Sequence, residues 1–368
     1  MRLQIDARLI HGGGIGRYIQ GLSEEWLKDP SLDRIRFLGP SAALHEWLAP
    51  RDPRSIAEVV PWEDSPYSPF AHVRWPLLSS RLPWAADVTF FPHYDVPLVA
   101  HPLPSVVTVH DLIQFDPRFG FPAWKRTLGG MLLRRAVGQA SRVITISEVS
   151  RGELLAFAPA VTSKVDIVPN GVSSVFRGPT EAEAAETWRR DGRRPFVLTV
   201  GPAKDHKNLE LAVRVVWLLR QEGFDIVHRA VGLREGDRGR LLRSIGVKSG
   251  DWLVDSLAVT DEELRALYWT ATAVLHTSVQ EGFGFVGAEA LASGGYLLAS
   301  DTPINAEVLK GAGRLLDPRR LGQWAGAVRG RLRDQRPESR VLPRRSGSGW
   351  SSAAQATLRA LERASTSP

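Results

Sequence analysis

The chain has 368 residues, 43% of them apolar and 24% charged, with a net charge of +7 and no cysteine. That length suggests two domains, each large enough to bury a core. The missing cysteine excludes disulfide scaffolds, thiolate–zinc sites, iron–sulfur clusters and a cysteine nucleophile.

From the N-terminus onward, short β-branched runs alternate with longer helical patterns, the signature of βαβ units and a mostly parallel sheet. The predicted strands are 3–6, 88–91, 106–109, 143–147, 165–169, 196–201, 226–231, 273–278 and 296–300. The predicted helices are 16–28, 124–140, 148–157, 208–222, 261–271, 285–293 and 320–332. The polar stretch 177–195 lacks a strand signal and follows PNGV (169–172), so the reading is two αβ domains, 1–172 and 173–345. A last helical pattern from Trp350, behind an SGSG linker, makes 346–368 a terminal helix long enough to cross back onto the first domain.

The basic excess is local. Segment 319–345 holds nine Arg against Asp334 and Glu338, which reads either as a solvated linker or as attraction to anionic lipid head groups. Aromatics are not interleaved with these charges, so no nucleic-acid partner is expected. No run of about 18 uncharged apolar residues occurs. Asp6 and Arg8 interrupt the stretch where a secretory leader needs an apolar run, so a cytoplasmic location is expected.

In open α/β sheets, ligands bind beyond the carboxyl ends of the strands, at points where the strand order reverses. Polar and glycine-rich residues gather after four predicted strands: HGGGIGRY (11–18), His110-Asp111, PAKDHKN (202–208) and VQEGFGFVGAE (279–289). A cleft lined by both domains is the geometry this predicts. HGGGIGRY does not have the G-x-G-x-x-G spacing and reads equally as a tight turn. Lys207, one of only seven lysines, stands near a helix start, where a cation and free amides make a phosphate cradle; Lys204 is a looser candidate, and a plain surface lysine is the alternative. Glu281 and Glu289 bracket Gly282, Phe283, Gly284 and Phe285, two acceptors with amides between them. That layout suits a ligand with hydroxyls at both ends and phosphates in the middle.

On IDARLIHGGGIGRYIQGL (5–22), YDVPLV (94–99), VTVHDLI (107–113), SRVITISEVSRGEL (141–154), VPNGV (168–172), VGPAKDHKNLELAV (200–213), residues 260–294 and SDTPINAEV (300–308), the chain resembles retaining glycosyltransferases of family 4, and its N-terminal motif style resembles bacterial polysaccharide mannosyltransferases. The resemblance implies the GT-B fold, α/β with two Rossmann-like domains whose parallel sheets face a central cleft, and a terminal helix returning to the N-terminal domain. It implies an acceptor-binding first domain and a second domain binding a nucleotide-sugar, with GDP-mannose favoured. In this reading Glu281 holds hydroxyls of the hexose and Glu289 those of the ribose. Lys207 neutralises the diphosphate, helped by amides of residues 282–285 and by the Gly13–Gly14 turn. His110 lies beside the sugar, Val259 lies near the base, and Tyr94 and Asp111 lie on the acceptor side. The acceptor is a glycan, a lipid-linked or a small molecule.

No D-x-D pair occurs and no second carboxylate is placed as a nucleophile, so front-face transfer without metal or other cofactor is expected. A sugar-nucleotide epimerase or hydrolase, or a non-catalytic nucleotide-sugar-binding protein, are the alternatives. The chain departs from the family pattern at Pro202, where relatives carry Arg, at Val286-Gly287, at the turn Ser293-Gly294-Gly295-Tyr296, and at Leu257. Trp62, Tyr67, Phe70, Trp75, Trp84 and Tyr94 make either a sugar-stacking platform or ordinary packing. WKRTLGGMLLRR (124–135) reads either as a peripheral contact with the inner membrane face or as a buried domain helix.

Overall fold

The computed structural model describes residues 1–66, 68–99, 104–183, 194–333 and 349–366. Tyr67, the Arg-rich stretch from residue 334 onward, the SGSG linker up to residue 348 and most of the polar stretch after Glu183 lie outside the described residues. The chain divides into two units, Met1–Gly171 with Ser348–Pro368, and Val172–Gly347.

The first unit holds a seven-stranded, all-parallel sheet: β1 (Arg2–Asp6), β2 (Arg34–Gly39), β3 (Ala57–Pro61), β4 (Val88–Phe91), β5 (Ser105–Val109), β6 (Arg142–Thr145) and β7 (Val165–Ile167), in the order β3-β2-β1-β4-β5-β6-β7. The second holds β8 (Phe196–Val200), β9 (Val227–Val231), β10 (Leu253–Ser256), β11 (Ala273–His276), β12 (Leu297–Ser300) and β13 (Arg314–Leu316), in the order β10-β9-β8-β11-β12-β13. Each order runs outward one way from its first strand and then reverses. The switch points therefore fall between β1 and β4 and between β8 and β11, where open α/β sheets bind ligands.

Central strands are buried on both faces and read as near-continuous apolar runs, as parallel sheets require. Helix Leu209–Gln221 packs Leu211, Ala212, Val215, Val216 and Leu219 onto the second sheet. Several strands stop short of their predicted ends because a cap intervenes. After Thr145, Ser147 turns its Oγ onto the Ser150 N–H and starts helix Glu148–Phe157. After His276, Thr277 donates its hydroxyl to the Lys207 carbonyl at 2.8 Å, which draws the chain off the β11 line and towards the β8 loop.

Elements the sequence reading did not mark include β2, β3, helix Ser41–Leu48, helix Pro69–Ser79, helix Asp237–Ser244, β10, helix Pro303–Leu309 and β13. β2 escapes because it carries Arg36, yet that side chain is fully buried. Its guanidinium lies 3.8 Å over the Trp84 ring and donates to Gln4 Oε1 and to the Trp84 carbonyl. β10 has a single buried residue and β13 is three residues long, so neither has a readable pattern.

The terminal helix Trp350–Ser365 belongs to the first unit. It buries Ala353, Ala354, Leu358 and Leu361 and accepts the Trp26 indole N–H at the Ala354 carbonyl, 3.1 Å. The Trp350 ring lies so close over helix Gly13–Trp26 that a Cβ at Gly21 would fall 2.2 Å from it. Arg363 reaches Asp166 in β7 at 2.8 Å.

Candidate active site

The switch point of the second sheet gathers three predicted residues. Residues 201–208 leave β8, and a 3-10 turn, Asp205–Lys207, precedes helix Leu209–Gln221. Lys207 thus sits one turn before the α-helix, separated from it by Asn208 in the left-handed region (φ 48°), rather than at the helix start. Its Nζ donates to Glu281 Oε1 at 2.6 Å. The loop carrying Glu281 is pinned to the β8 loop, since the Val279 N–H donates to the His206 carbonyl at 2.8 Å.

Burial by itself would push the Glu281 carboxyl up. Lys207, then His276, outweigh it, with hydrogen bonds from Lys207 and Ser278, and bring the group down to about 2. Glu281 is therefore an anion at neutral pH, held by a lysine that is itself only partly exposed.

Helix Phe285–Ala292 begins right after this loop, with Gly284 as N-cap at φ 81°. A Cβ there would also lie 3.2 Å from His276 Nε2, so glycine is required on both counts. The helix starts four residues after Glu281, the partner of Lys207, so the positive end of its dipole adjoins that loop. Gly282 and Phe283 are buried, and Phe283 meets Phe285 edge-on at 5.2 Å.

Glu289, one turn in, is almost fully buried and accepts the Tyr268 hydroxyl at 3.0 Å. The Tyr268 bond occupies Oε2 and leaves the carboxylate further acceptor capacity. Val259 is half-buried before Thr260, which with Glu263 forms the capping box of helix Asp261–Thr270. Lys204 is exposed and caps the turn before Lys207.

In the first unit, Gly13 opens helix Gly13–Trp26 at φ 55°, where only glycine is at ease, and Gly14 follows exposed in the first turn. Gly16 is there for packing, since a Cβ would meet the Ile10 carbonyl at 2.7 Å. His110, half-buried after β5, places Nε2 2.7 Å from the Pro92 carbonyl and its ring edge-on to Tyr18 at 4.8 Å. Burial pushes it down to about 4, so it is neutral at pH 7 and donates Nε2–H to that carbonyl. Asp111 accepts the Ile113 N–H at 3.1 Å and shapes the following turn.

Three of the aromatic readings resolve towards packing, while Phe70 is exposed. Tyr94, expected on the acceptor side, is buried against Phe115 in the core beneath helix Ala123–Gln139. Trp62 and Trp75 are buried against each other at 5.3 Å. Neither Tyr94 nor this tryptophan pair offers a face for stacking a sugar.

Sequence reasoning missed two groups. His276, with Asn305, underlies the Glu281 loop; it stood inside the apolar run 273–278 and was read as strand. At the first sheet's switch point, Asp6 and Asp95 are fully buried around Arg8, which reaches Asp6 at 2.7 Å and Asp95 at 3.1 Å. His93 approaches Asp6, and His72 approaches Asp95, each at 3.3 Å. Arg8 also stacks over Trp62 at 3.8 Å. Burial drives the Asp6 carboxyl up, but Arg8 and His93 more than reverse this and hold it well below the usual range. The signal was present in I-D-A-R and H-Y-D, a charge at each of two adjacent strand ends.

Four histidines share one electrostatic consequence. Burial brings His110, His206 and His276 down to about 4 and His228 to about 3. Folded, these rings are neutral; unfolded, they take a proton near pH 6.5. The unfolded state therefore binds more protons between pH 6.5 and 4, and stability falls as pH drops through that window, by about 2–3 kcal/mol for each fully buried ring. Urea midpoints recorded from pH 7.5 to 4.5 are expected to decline steadily below 6.5; a flat profile contradicts the assignment.

Two parallel, doubly wound sheets, with a lysine, a carboxylate and a helix N-terminus at one switch point, define the architecture of GT-B glycosyltransferases. The chain belongs to the family 4, group 1 glycosyltransferases: the family model described as Glycosyltransferase Family 4 matches residues 12–176, and that described as Glycosyl transferases group 1 matches 181–345. It is 22% identical to the O-antigen chain mannosyltransferase RfbU of Salmonella typhimurium over 241 residues, covering 64% of this chain and 62% of that one. To the D-inositol 3-phosphate glycosyltransferase of Pseudarthrobacter chlorophenolicus it is 29% identical over 283 residues, covering 72% and 64%. The matches thus span a little under two thirds of these two relatives. The Anabaena protein HepE, solved in complex with UDP and glucose, superposes with a TM-score of 0.67 at 15% identity, over 99% of this chain and 95% of that one. Among the described residues no helix is long and apolar enough to cross a membrane.

Proposed function

We propose that the chain transfers a hexose, with retention and without a metal, from a nucleotide-sugar to a carbohydrate, lipid-linked or small-molecule hydroxyl. The observation that carries this reading is the Lys207–Glu281 pair, 2.6 Å apart at a switch point beside a helix N-terminus. A cation and an anion held together there match a donor that is anionic at its diphosphate and rich in hydroxyls at its sugar.

On donor binding, Lys207 exchanges the carboxylate for diphosphate oxygens, and Glu281 accepts hydrogen bonds from the hexose hydroxyls. The acceptor oxygen attacks the anomeric carbon on the face the diphosphate leaves. The bond from that carbon to the phosphate oxygen breaks, the electron pair goes to the diphosphate, and the acceptor proton passes to the departing phosphate oxygen. Lys207 and the amides at 283–285 stabilise the charge that develops there. Pro202 removes one cation common in the family, so this load falls more heavily on Lys207. In the first unit His110 and the Gly13–Gly14 turn are the groups we assign to sugar and phosphate contact. Glu289 and Val259 are assigned to ribose and base.

GDP-mannose is the donor we favour, a reading supported by the Salmonella relative's being named a mannosyltransferase; UDP-glucose, with HepE bound to UDP and glucose, is the comparator. Incubation with GDP- and UDP-sugars in EDTA, with products followed by mass spectrometry, is expected to show transfer or slow donor hydrolysis with the anomeric configuration kept. Turnover abolished by EDTA and restored by a divalent cation contradicts the mechanism. A product isomer formed without any acceptor contradicts the transferase reading itself.

A further inference from the structure

The two readings of WKRTLGGMLLRR turn out to describe opposite sides of one helix. Helix Ala123–Gln139 buries Gly130, Leu133, Ala136 and Val137. At about 100° per residue these side chains occupy one face. Trp124, Leu128 and Met131 fall within about 60° of each other on the opposite face, and they are 64%, 51% and 62% exposed. Phe121, just before the helix, is exposed as well. Packing explains the first face and not the second.

Charge selects what covers the second face. The helix carries Lys125, Arg126, Arg134 and Arg135 and no acidic residue. None of the four forms an ion pair among the described residues. Lys125 and Arg134 lie to either side of the apolar stripe, and Arg135 lies within it, bonded to the Leu98 carbonyl beside exposed Val99. A second helix of the same unit, Pro69–Ser79, exposes Phe70, Val73 and Leu77 at helical spacing, again with no acid. His72, on the buried side of that helix, meets Asp95 in the 92–99 segment that Arg135 also touches. Of the ten large apolar side chains exposed among the described residues, these two helices, Val99 and Phe121 supply eight.

We propose that this face of the first unit docks on a lipid bilayer with anionic head groups. Trp124, Leu128 and Met131 enter the boundary between head groups and acyl chains, while Lys125, Arg134 and Arg135 lie against the phosphates. A protein partner of the same area would have to supply both an apolar stripe and acidic flanks, whereas an anionic bilayer presents both everywhere. The inference does not rest on the transferase reading, because its test uses no donor.

The full chain is sedimented with vesicles of phosphatidylglycerol and phosphatidylcholine in equal parts, and with pure phosphatidylcholine, at low and high salt. Binding is expected on the anionic vesicles, at least about tenfold weaker on neutral ones and weakened by salt. The variant Trp124→Ser/Leu128→Ser/Met131→Ser, altered only at exposed positions, is expected to keep the wild-type melting temperature and to lose at least about tenfold in vesicle affinity. No binding to anionic vesicles at low salt, or binding equal on both compositions, overturns the proposal. So does full binding by the triple variant, or a wild-type dimer in gel filtration that the triple variant abolishes, which would assign the face to a second copy.

Discussion

Replacing Lys207 by alanine is expected to reduce kcat/KM for the nucleotide-sugar at least about 100-fold, and Glu281→Gln to do the same. The two losses have different origins. Lys207 acts on charge that grows as the diphosphate departs, so its removal falls mainly on kcat. Glu281 binds the sugar in ground and transition states alike, so Glu281→Gln is expected to raise KM as well. Because the pair is half-buried, Lys207→Ala also leaves a carboxylate without its main counterion, and that group is expected to titrate upward from about 2. The Lys207→Ala/Glu281→Gln double variant separates these effects. If each residue serves the donor, the double variant is at least as impaired as either single one. If the pair only braces the loop, neutralising both restores activity. Steady-state rates for all three variants, set against the wild type, decide between them.

The largest expected effect on stability lies elsewhere, at Arg8. Its guanidinium lies between two fully buried carboxylates, Asp6 at 2.7 Å and Asp95 at 3.1 Å. Arg8→Leu removes the guanidinium that bridges both interior anions, each of which also has a histidine at 3.3 Å, His93 at Asp6 and His72 at Asp95. Breaking a buried pair in this way costs about 3–5 kcal/mol, which for a unit of this size corresponds to about 6–20 °C in Tm. Asp6→Asn placed on top of Arg8→Leu removes one of the stranded charges and is expected to recover part of that loss. A melting temperature within 2–3 °C of wild type for Arg8→Leu, roughly the equivalent of 1 kcal/mol, contradicts the account of the network.

What was legible in the sequence followed physical regularity. Helix Glu148–Phe157 was readable to the residue because Ser147 and Glu148 mark its start and a βαβ rhythm surrounds it. Both sheets could be inferred because parallel strands buried on both faces are apolar throughout. Glu281, Lys207, Gly282 and Gly284 stood out because charged residues and glycines gathered after predicted strands, where open α/β sheets bind ligands. Illegible features were those in which a local rule is overridden by a distant partner. Arg36 in β2 looks like a surface residue until Gln4 and Trp84 are beside it. Helix Pro69–Ser79 contains Pro76 and is apolar on two sides, so it has no single stripe to read. Tyr94, Trp62 and Trp75 have the composition of a sugar platform, and only their burial reveals them as core. The bond that Glu289 accepts from Tyr268, a residue 21 positions away, is one no periodicity announces.

The central claim is that the diphosphate of a nucleotide-sugar is bound at the switch point between β8 and β11, on Lys207 and the N-terminus of helix Phe285–Ala292. A crystal structure of the chain soaked with GDP or UDP tests it most directly. The account predicts a diphosphate within hydrogen-bond reach of Lys207 Nζ and the amides of residues 283–285, with the Lys207–Glu281 bond broken. A nucleotide bound elsewhere, or one bound with that ion pair intact, contradicts it.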